Sequence, residues 1–406
     1  MERREFVTAM GGALLLGRTA ADSRPPVARL GAPILGQSSQ LGPEVFARRL
    51  DRLRAEMTTR KLDLFLATPS TNFEYFTGIN PGRSERLILL LVTTQGDPAI
   101  VCPAFEVERV QRRSAVRDVR GWEEQADPWK LVKHALGAAK PPRRHGQGAI
   151  ESSLDYGSFL RLTDVAGEWR WQNAAPVTER LRIIKYPEET ALIRRAIEIT
   201  EASIAATFAA LAPGQSEREV AGRLSDEMRQ RGSSGGGLVQ FGASSALPHG
   251  GPGGGQLQKE TVVLIDAGSE VEGYTSDVTR TIWYGDTPSD EFKRVYNLVH
   301  DAQTAAMELG KPFAVRCQEL DRAARLVIAN GGFGEYFTHR LGHGMGMDGH
   351  EPPYLVEGND TRLEPGMVFT IEPGIYQPGK FGVRIEDDTL VTENGLEVLS
   401  RRPEKV

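Results

Sequence analysis

Phe46, Leu50, Leu53 and Met57 recur at three- and four-residue intervals, which places them on one face of a helix over 46–60. The pattern then changes. Mainly apolar runs at 62–67 and 87–93 read as buried strands, with shorter ones at 99–102 and 148–150. Strands alternating with helical stretches across 41–180 predict an α/β domain. This region carries no Gly-rich phosphate loop of the P-loop or dinucleotide type.

A second pattern starts after 180–187. Pro187 can open a helix, with Glu188 and Glu189 in its positive first turn. Ile193, Ile197, Ile204, Phe208 and Leu211 supply its apolar face, and Pro213-Gly214 ends it. Ser216 and Glu219 form a capping-box pattern for the next helix, which stops at Gly232. Beyond it, strands and Gly-rich loops dominate, apart from helices over 290–309 and 318–330. Helices with antiparallel strands predict an α+β domain over 181–406, larger than the α/β domain at 41–180.

The length of 406 residues fits two cores rather than one. A net charge of −5 argues against general affinity for nucleic acid or anionic membranes. Cys102 and Cys317 are the two cysteines; their separation predicts buried thiols, neither a disulfide framework nor a metal site. The N-terminus is distinct. Arg3-Arg4 precedes an uncharged stretch at 7–17 and the small residues Thr19-Ala20-Ala21. That resembles a twin-arginine signal over 1–22 and implies an exported protein, periplasmic or secreted. The stretch is too short to span a bilayer, so no stable membrane anchor is expected. Pro, Gly and Ser over 23–40 predict a linker.

The chemistry lies in acids that face each other. The run 261–266 is an apolar strand ending in Asp266, and the chain returns through Asp277. A hairpin centred between Val271 and Glu272 sets these two acids directly opposite. Strand 367–372 ends in Glu372, and the return strand 383–386 ends in Glu386. A hairpin centred on Gly379 sets that pair opposite as well. Cross-strand Cβ atoms lie only about 4.5–5.5 Å apart, so bare like charges there are destabilising. A divalent metal removes the cost. Of seven histidines, His339, His343 and His350 cluster in one Gly-rich run, and His249 lies in another Gly-rich loop.

Together these stretches resemble the pita-bread metallopeptidases of family M24, the Xaa-Pro aminopeptidases and Xaa-Pro dipeptidases (prolidases). The resemblance rests on 246–250, 266–281, 339–351, 370–374 and 382–387, in the family's order and spacing. Asn72 to Gly78 and Arg180 to Glu189 resemble the family's N-terminal domain. It implies an α+β fold: a C-terminal pita-bread, creatinase/aminopeptidase-like catalytic domain preceded by a smaller α/β domain of creatinase/prolidase type. It also implies a homodimer and two divalent metal ions, Mn²⁺ foremost, with Co²⁺, Zn²⁺ or Fe²⁺ able to substitute. The ligands carried over are Asp266, Asp277, His343, Glu372 and Glu386. The implied reaction is hydrolysis of the bond preceding proline in a peptide or dipeptide, by a hydroxide bound between the metals.

Further roles follow from that reading. His350 is expected to stabilise the oxyanion, and Glu372 to take the proton of the attacking water. His249 would contact the substrate backbone or the leaving nitrogen, and His339 the proline side. Arg384 would orient ligands or clamp a carboxylate, or else serve as a structural ion pair. Tyr274 and Thr279 are expected beside the ligand carboxylates. The complete ligand set weighs against a creatinase-like C–N hydrolase and a noncatalytic binding protein on the same scaffold. The N-terminal domain weighs against a methionine aminopeptidase.

Overall fold

The computed structural model describes residues 41–138, 145–251 and 255–406. The leader and linker expected over 1–22 and 23–40 lie outside them. Among the described residues, no helix is long and apolar enough to cross a membrane.

The first half is built on a six-stranded mixed sheet of order β4-β3-β2-β1-β5-β6. Its strands are β1 (Leu64–Ala67), β2 (Leu89–Thr93), β3 (Ala99–Pro103), β4 (Asp118–Trp122), β5 (Gly146–Ile150) and β6 (Trp169–Asn173). Helices α1 (Pro43–Thr59), α2 (Thr71–Thr77), α3 (Val107–Arg113), α4 (Pro128–Ala138), α5 (Tyr156–Val165) and α6 (Ala175–Arg182) accompany it. Leu64 and Leu66 pack in one apolar cluster, whereas Phe65 and Ala67 pack in another. A strand covered on both faces needs apolar residues at every position, which is why β1 reads as an unbroken run. Strands β4 and β6 escape the sequence reading. They hold the two sheet edges, and their Asp-Val-Arg-Gly-Trp and Trp-Arg-Trp-Gln-Asn sequences carry half-polar patterns. Helix α1 starts three residues earlier than its apolar spacing suggests, because Pro43 fits its first turn.

The second half packs α7 (Pro187–Ala209) and α8 (Glu217–Gln230) against a sheet of β7 (Ser234–Phe241), β8 (Thr261–Val271), β9 (Tyr274–Thr275) and β10 (Val278–Tyr284). Helices α9 (Asp290–Leu309) and α10 (Cys317–Asn330) pack with the remaining strands. These are β11 (Gly342–Gly344), β12 (Glu351–Leu355), β13 (Val368–Ile371), β14 (Gly374–Gln377), β15 (Phe381–Arg384), β16 (Asp387–Thr392) and β17 (Gly395–Val398). Every pairing in this half is antiparallel. The Ser216 hydroxyl accepts from the Glu219 N–H at 3.2 Å, and the Glu219 carboxylate accepts from the Ser216 N–H at 2.7 Å, closing the expected capping box. Cys102 and Cys317 are buried, free thiols whose pKa values burial pushes up to about 11 and about 12.

Strand β8 divides the second half. Val263, Ile265 and Ala267 face the cluster that includes α7 and α8, whereas Val262 faces the α9–α10 cluster. Alternation carries Asp266 onto the Val262 face, toward β13 to β16.

Candidate active site

Two hairpins supply the acids. In the first, Asp266 pairs with Thr279 and Glu270 with Thr275, so the turn is centred between Glu272 and Gly273. Both turn residues have positive φ, 53° and 81°, as a tight two-residue turn requires. The expected Asp266–Asp277 register is therefore corrected by two positions. Asp277 sits diagonal to Asp266, in the short break between β9 and β10. A shift of two preserves the face, so both acids still turn to the same side.

The second hairpin keeps its expected register. Val368 pairs with Leu390 and Ile371 with Asp387; beyond the break, Gly374 pairs with Arg384. The same register sets Glu372 opposite Glu386, where the ladder opens. Pro373 has no N–H to donate. The Glu372 N–H instead reaches the Leu341 carbonyl (2.8 Å), and the Glu386 N–H reaches Thr279 (3.2 Å). Buried Gln303 of α9 fills the opening. Its amide nitrogen lies 3.1 Å from the Ile371 carbonyl, 3.3 Å from that of Ile385 and 2.8 Å from Asp387 Oδ2. Each glutamate is thus fixed by a backbone that pairs elsewhere.

His343 enters from β11. Its Nδ1 lies 3.1 Å from the Gly344 carbonyl oxygen, which turns Nε2 toward the acids. That Nε2 is 3.3 Å from Glu372 Oε1 and 3.8 Å from Asp277 Oδ2. Ligand atoms of Asp266, Asp277 and Glu386 lie within 4.8 Å of one another. The same holds for His343, Glu372 and Glu386, and for Asp277, His343 and His350. Glu386 belongs to two of these groups, and all five residues carried over as ligands line one cavity of about 440 Å³.

The electrostatics call for cations. Burial, then repulsion from Asp266, Asp388 and Glu372, holds the Asp277 carboxyl far above its usual range. Burial, then Asp277, Glu372 and Asp266, does the same to Glu386. Burial also raises Glu372, but the hydrogen bond and charge of His343, with His339 and Arg384, outweigh it and bring the group below its usual range. One guanidinium answers four carboxylates: Arg384 Nη2 is 2.6 Å from Asp266 Oδ2. Oxygen-rich donors this close, with two carboxyls driven toward protonation, fit hard divalent cations.

Around the acids lies a hydrogen-bonded frame. Thr279 donates to Glu386 Oε2 (2.5 Å) and accepts from Arg384 Nε (3.1 Å), as expected of a ligand partner. Tyr274 is a correction. It pairs with Val271, on the opposite face of the ladder, and bonds buried Arg49 (2.6 Å) and Glu189 (2.7 Å) instead. Tyr376 takes the place expected of it. The phenol accepts from Arg384 Nη1 (2.8 Å) and meets His339 Nε2 (2.8 Å). His339 Nδ1 donates to the Arg340 carbonyl (2.7 Å), so Nε2 accepts from the phenol. Burial, ahead of the neighbouring cations, lowers the His339 pKa and keeps this ring neutral. A Cβ at Gly374 would meet the Tyr376 oxygen, so glycine there lets the phenol lie along the ladder; one at Gly382 would first meet the Ser245 carbonyl and then the Tyr376 ring. Strand alternation from Glu372 through Gly374 to Tyr376 was the signal that could have exposed it.

His249 and His350 both line the cavity. His350 stacks on His343 with ring centroids 3.7 Å apart, and its Nδ1 accepts from Arg340 Nη2 (3.1 Å). That bond leaves the proton on Nε2. Arg384 is an ion pair with Asp266 and lines the cavity as well.

Comparison with known proteins agrees with this geometry. Residues 191–393 match the model of metallopeptidase family M24, and residues 49–184 that of the creatinase/prolidase N-terminal domain. An Xaa-Pro dipeptidase of Lactobacillus helveticus is 38% identical over 356 residues, 86% of this chain and 96% of that relative. The dipeptidase PepE from Mycobacterium ulcerans superposes with a TM-score of 0.83 at 35% identity, covering 91% of this chain and 99% of that one. A prolidase from Thermococcus sibiricus gives 0.82 at 34% identity, covering 89% and 98%.

Proposed function

This chain belongs to metallopeptidase family M24, and from that premise we propose that it is an Xaa-Pro dipeptidase, hydrolysing the bond that precedes proline. The observation that carries the reading is the convergence of Asp266, Asp277, His343, Glu372 and Glu386 on one cavity that His249, His339 and His350 also line. These five would hold two divalent cations, with Mn²⁺ suited to four carboxylates and one imidazole. When bound, such ions supply a water of lowered pKa and a Lewis acid for the carbonyl.

The chain's own residues do the rest. Glu372 Oε1, ionised beside His343 Nε2, accepts the proton that the attacking water gives up. The His350 Nε2–H donates to the carbonyl oxygen as negative charge develops there. Arg384 and Tyr376 hold Asp266 and His339 in place. An Xaa-Pro imide has no N–H, so the site needs no acceptor for one. His249, exposed and lining the cavity, can contact the substrate backbone. The names of the relatives favour a dipeptide over a longer peptide. Export through Arg3-Arg4 and assembly as a homodimer belong to the same proposal.

The test is the mature chain with Mn²⁺, given Gly-Pro and Arg-Pro-Pro side by side, against metal-stripped protein. Cleavage of Gly-Pro alone is expected. Cleavage of the tripeptide alone would make it an aminopeptidase. Without metal-dependent cleavage of either, the proline assignment fails and the weight moves to a creatinase-like C–N hydrolase or a noncatalytic binding protein on the same scaffold. His350→Ala should keep metal and lose about 10²–10³ in kcat.

A further inference from the structure

The loop between β11 and β12 carries His350, whose ring is held directly by its stack on His343 and by Arg340 Nη2. His350 is exposed, and the neighbouring Gly349 has open space where a Cβ would be. His350 lines the active-site cavity on one side and a second cavity of about 220 Å³ on the other. Thr275 of β9 bonds the Gly346 carbonyl at the start of the loop, and a set of side chains from α2, from the end of α6 and from the segment just after it holds the acids beside His350. Arg182, at the end of α6, places Nη2 2.7 Å from Asp348 Oδ2 and against Glu351 Oε2. Those two carboxylates flank His350. Thr71 of α2 donates to Asp348 Oδ1 (2.5 Å), and Lys185 to Glu351 Oε1 (2.7 Å). Arg182 is itself held by Asn72 Oδ1 (3.1 Å), whose amide bonds Glu151 (2.6 Å). The Arg182 side chain is only 10% exposed, so its bonds are little weakened by water.

We propose that Arg182 is a positioning residue for catalysis: from the N-terminal half it clamps both acids beside His350 and so aims the imidazole at the developing oxyanion. The inference rests on the role assigned to His350 above. It also gives the Asn72 to Gly78 stretch a purpose, since Thr71 and Asn72 complete the clamp. Arg is required because one planar fork must serve Asp348, Glu351 and Asn72 at once.

The experiment measures kcat, KM and metal content with Gly-Pro and Mn²⁺ for Arg182→Met, Asp348→Asn, His350→Ala and the Arg182→Met/His350→Ala double variant. Arg180→Met is the control: Arg180 is on the same helix and also pairs with the second half, at Glu364, but away from the loop. Arg182→Met is expected to lower kcat by about 10- to 100-fold with little change in KM or metal content. Arg182→Lys should recover only part of the loss, and Arg180→Met should match the native protein. In the double variant, the Arg182 change should add nothing to the His350→Ala loss, because residues acting as one unit are non-additive. Asp348→Asn, at a half-exposed site that tolerates the change, should move kcat the same way even if Arg182→Met folds poorly. Native kcat in folded Arg182→Met and Asp348→Asn overturns the proposal. So does a full additional loss on top of His350→Ala, which would mark Arg182 as merely structural. Native kcat in His350→Ala overturns the underlying role of His350 and the proposal with it.

Discussion

The two acid-bearing hairpins meet the same electrostatic demand in different ways. In the β8–β10 hairpin the ladder keeps its pairing at Asp266, and the acids are set diagonally, with Asp277 in a break. In the β13–β16 hairpin the acids stand opposite each other, and the ladder itself opens. The first spreads its charges along the strand and borrows Arg384 from the other hairpin for Asp266. The second holds its charges face to face and braces the gap from behind with Gln303. In the first, Asp266 still repels Asp277 across the diagonal and is itself paired with Arg384, whereas in the second the backbones of the two acids are held by bonds to Leu341 and Thr279. Acid pairs can therefore be built into a sheet wherever the ladder has somewhere else to send its N–H groups.

The sharpest way to break the comparison is to remove one acid from each hairpin. Asp277→Asn and Glu386→Gln should each lose metal and lower kcat/KM by roughly 10³-fold or more, read by elemental analysis beside the assay. If either variant retains both metal and activity, that hairpin is not a ligand source. Tyr376→Phe should cost about 10–100-fold in kcat with metal retained, since it strips His339 and Arg384 of a shared partner. Gln303→Leu separates the hairpins more finely. It leaves the Ile371 and Ile385 carbonyls without this donor, so metal affinity should fall about 10-fold and stability by about 1–3 kcal/mol. Equilibrium dialysis and thermal melts give the two numbers, and unchanged affinity would show that the gap needs no brace.

The smallest effect is one of pH. In the metal-stripped protein, Asp277 and Glu386 keep their protons well above the usual carboxyl range, chiefly through burial. Above about pH 4 the unfolded chain has released protons that the folded chain retains, so stability falls as pH rises toward the folded values. Glu372, lowered rather than raised, is ionised in both states across this window and adds no slope. The melting temperature of stripped protein should drop as pH rises above the usual carboxyl range, and added Mn²⁺ should reduce the drop. A flat profile in stripped protein would mean that the acids find relief without metal.

Much of this was readable in the chain before any coordinates. The capping box at Ser216, the helix opened by Pro187 and the register of the second hairpin rest on local rules, and they hold as read. The first register was misplaced because Glu272 adopts positive φ, which a turn rich in other candidates did not advertise. Edge strands β4 and β6 were missed because a half-solvated strand loses the apolar run that marks β1. Tyr274 was misassigned for a different reason: in either register it falls on the face opposite Asp266 and Asp277, which strand alternation alone indicates. Gln303 and Arg182 were beyond reach for another reason. Both act from helices onto distant strands and loops, and periodicity says which face is buried, not what it touches.

The tight turn at Glu272 and Gly273 has an evolutionary corollary. Side chains alternate across the ladder, so the length of this loop can drift in steps of two while Asp277 stays with Asp266. A single-residue insertion or deletion would turn Asp277 toward the packing of Ile265 and bring apolar Val278 to the cavity. Related sequences should therefore vary here by even counts, and odd changes should mark lineages that have given up the chemistry.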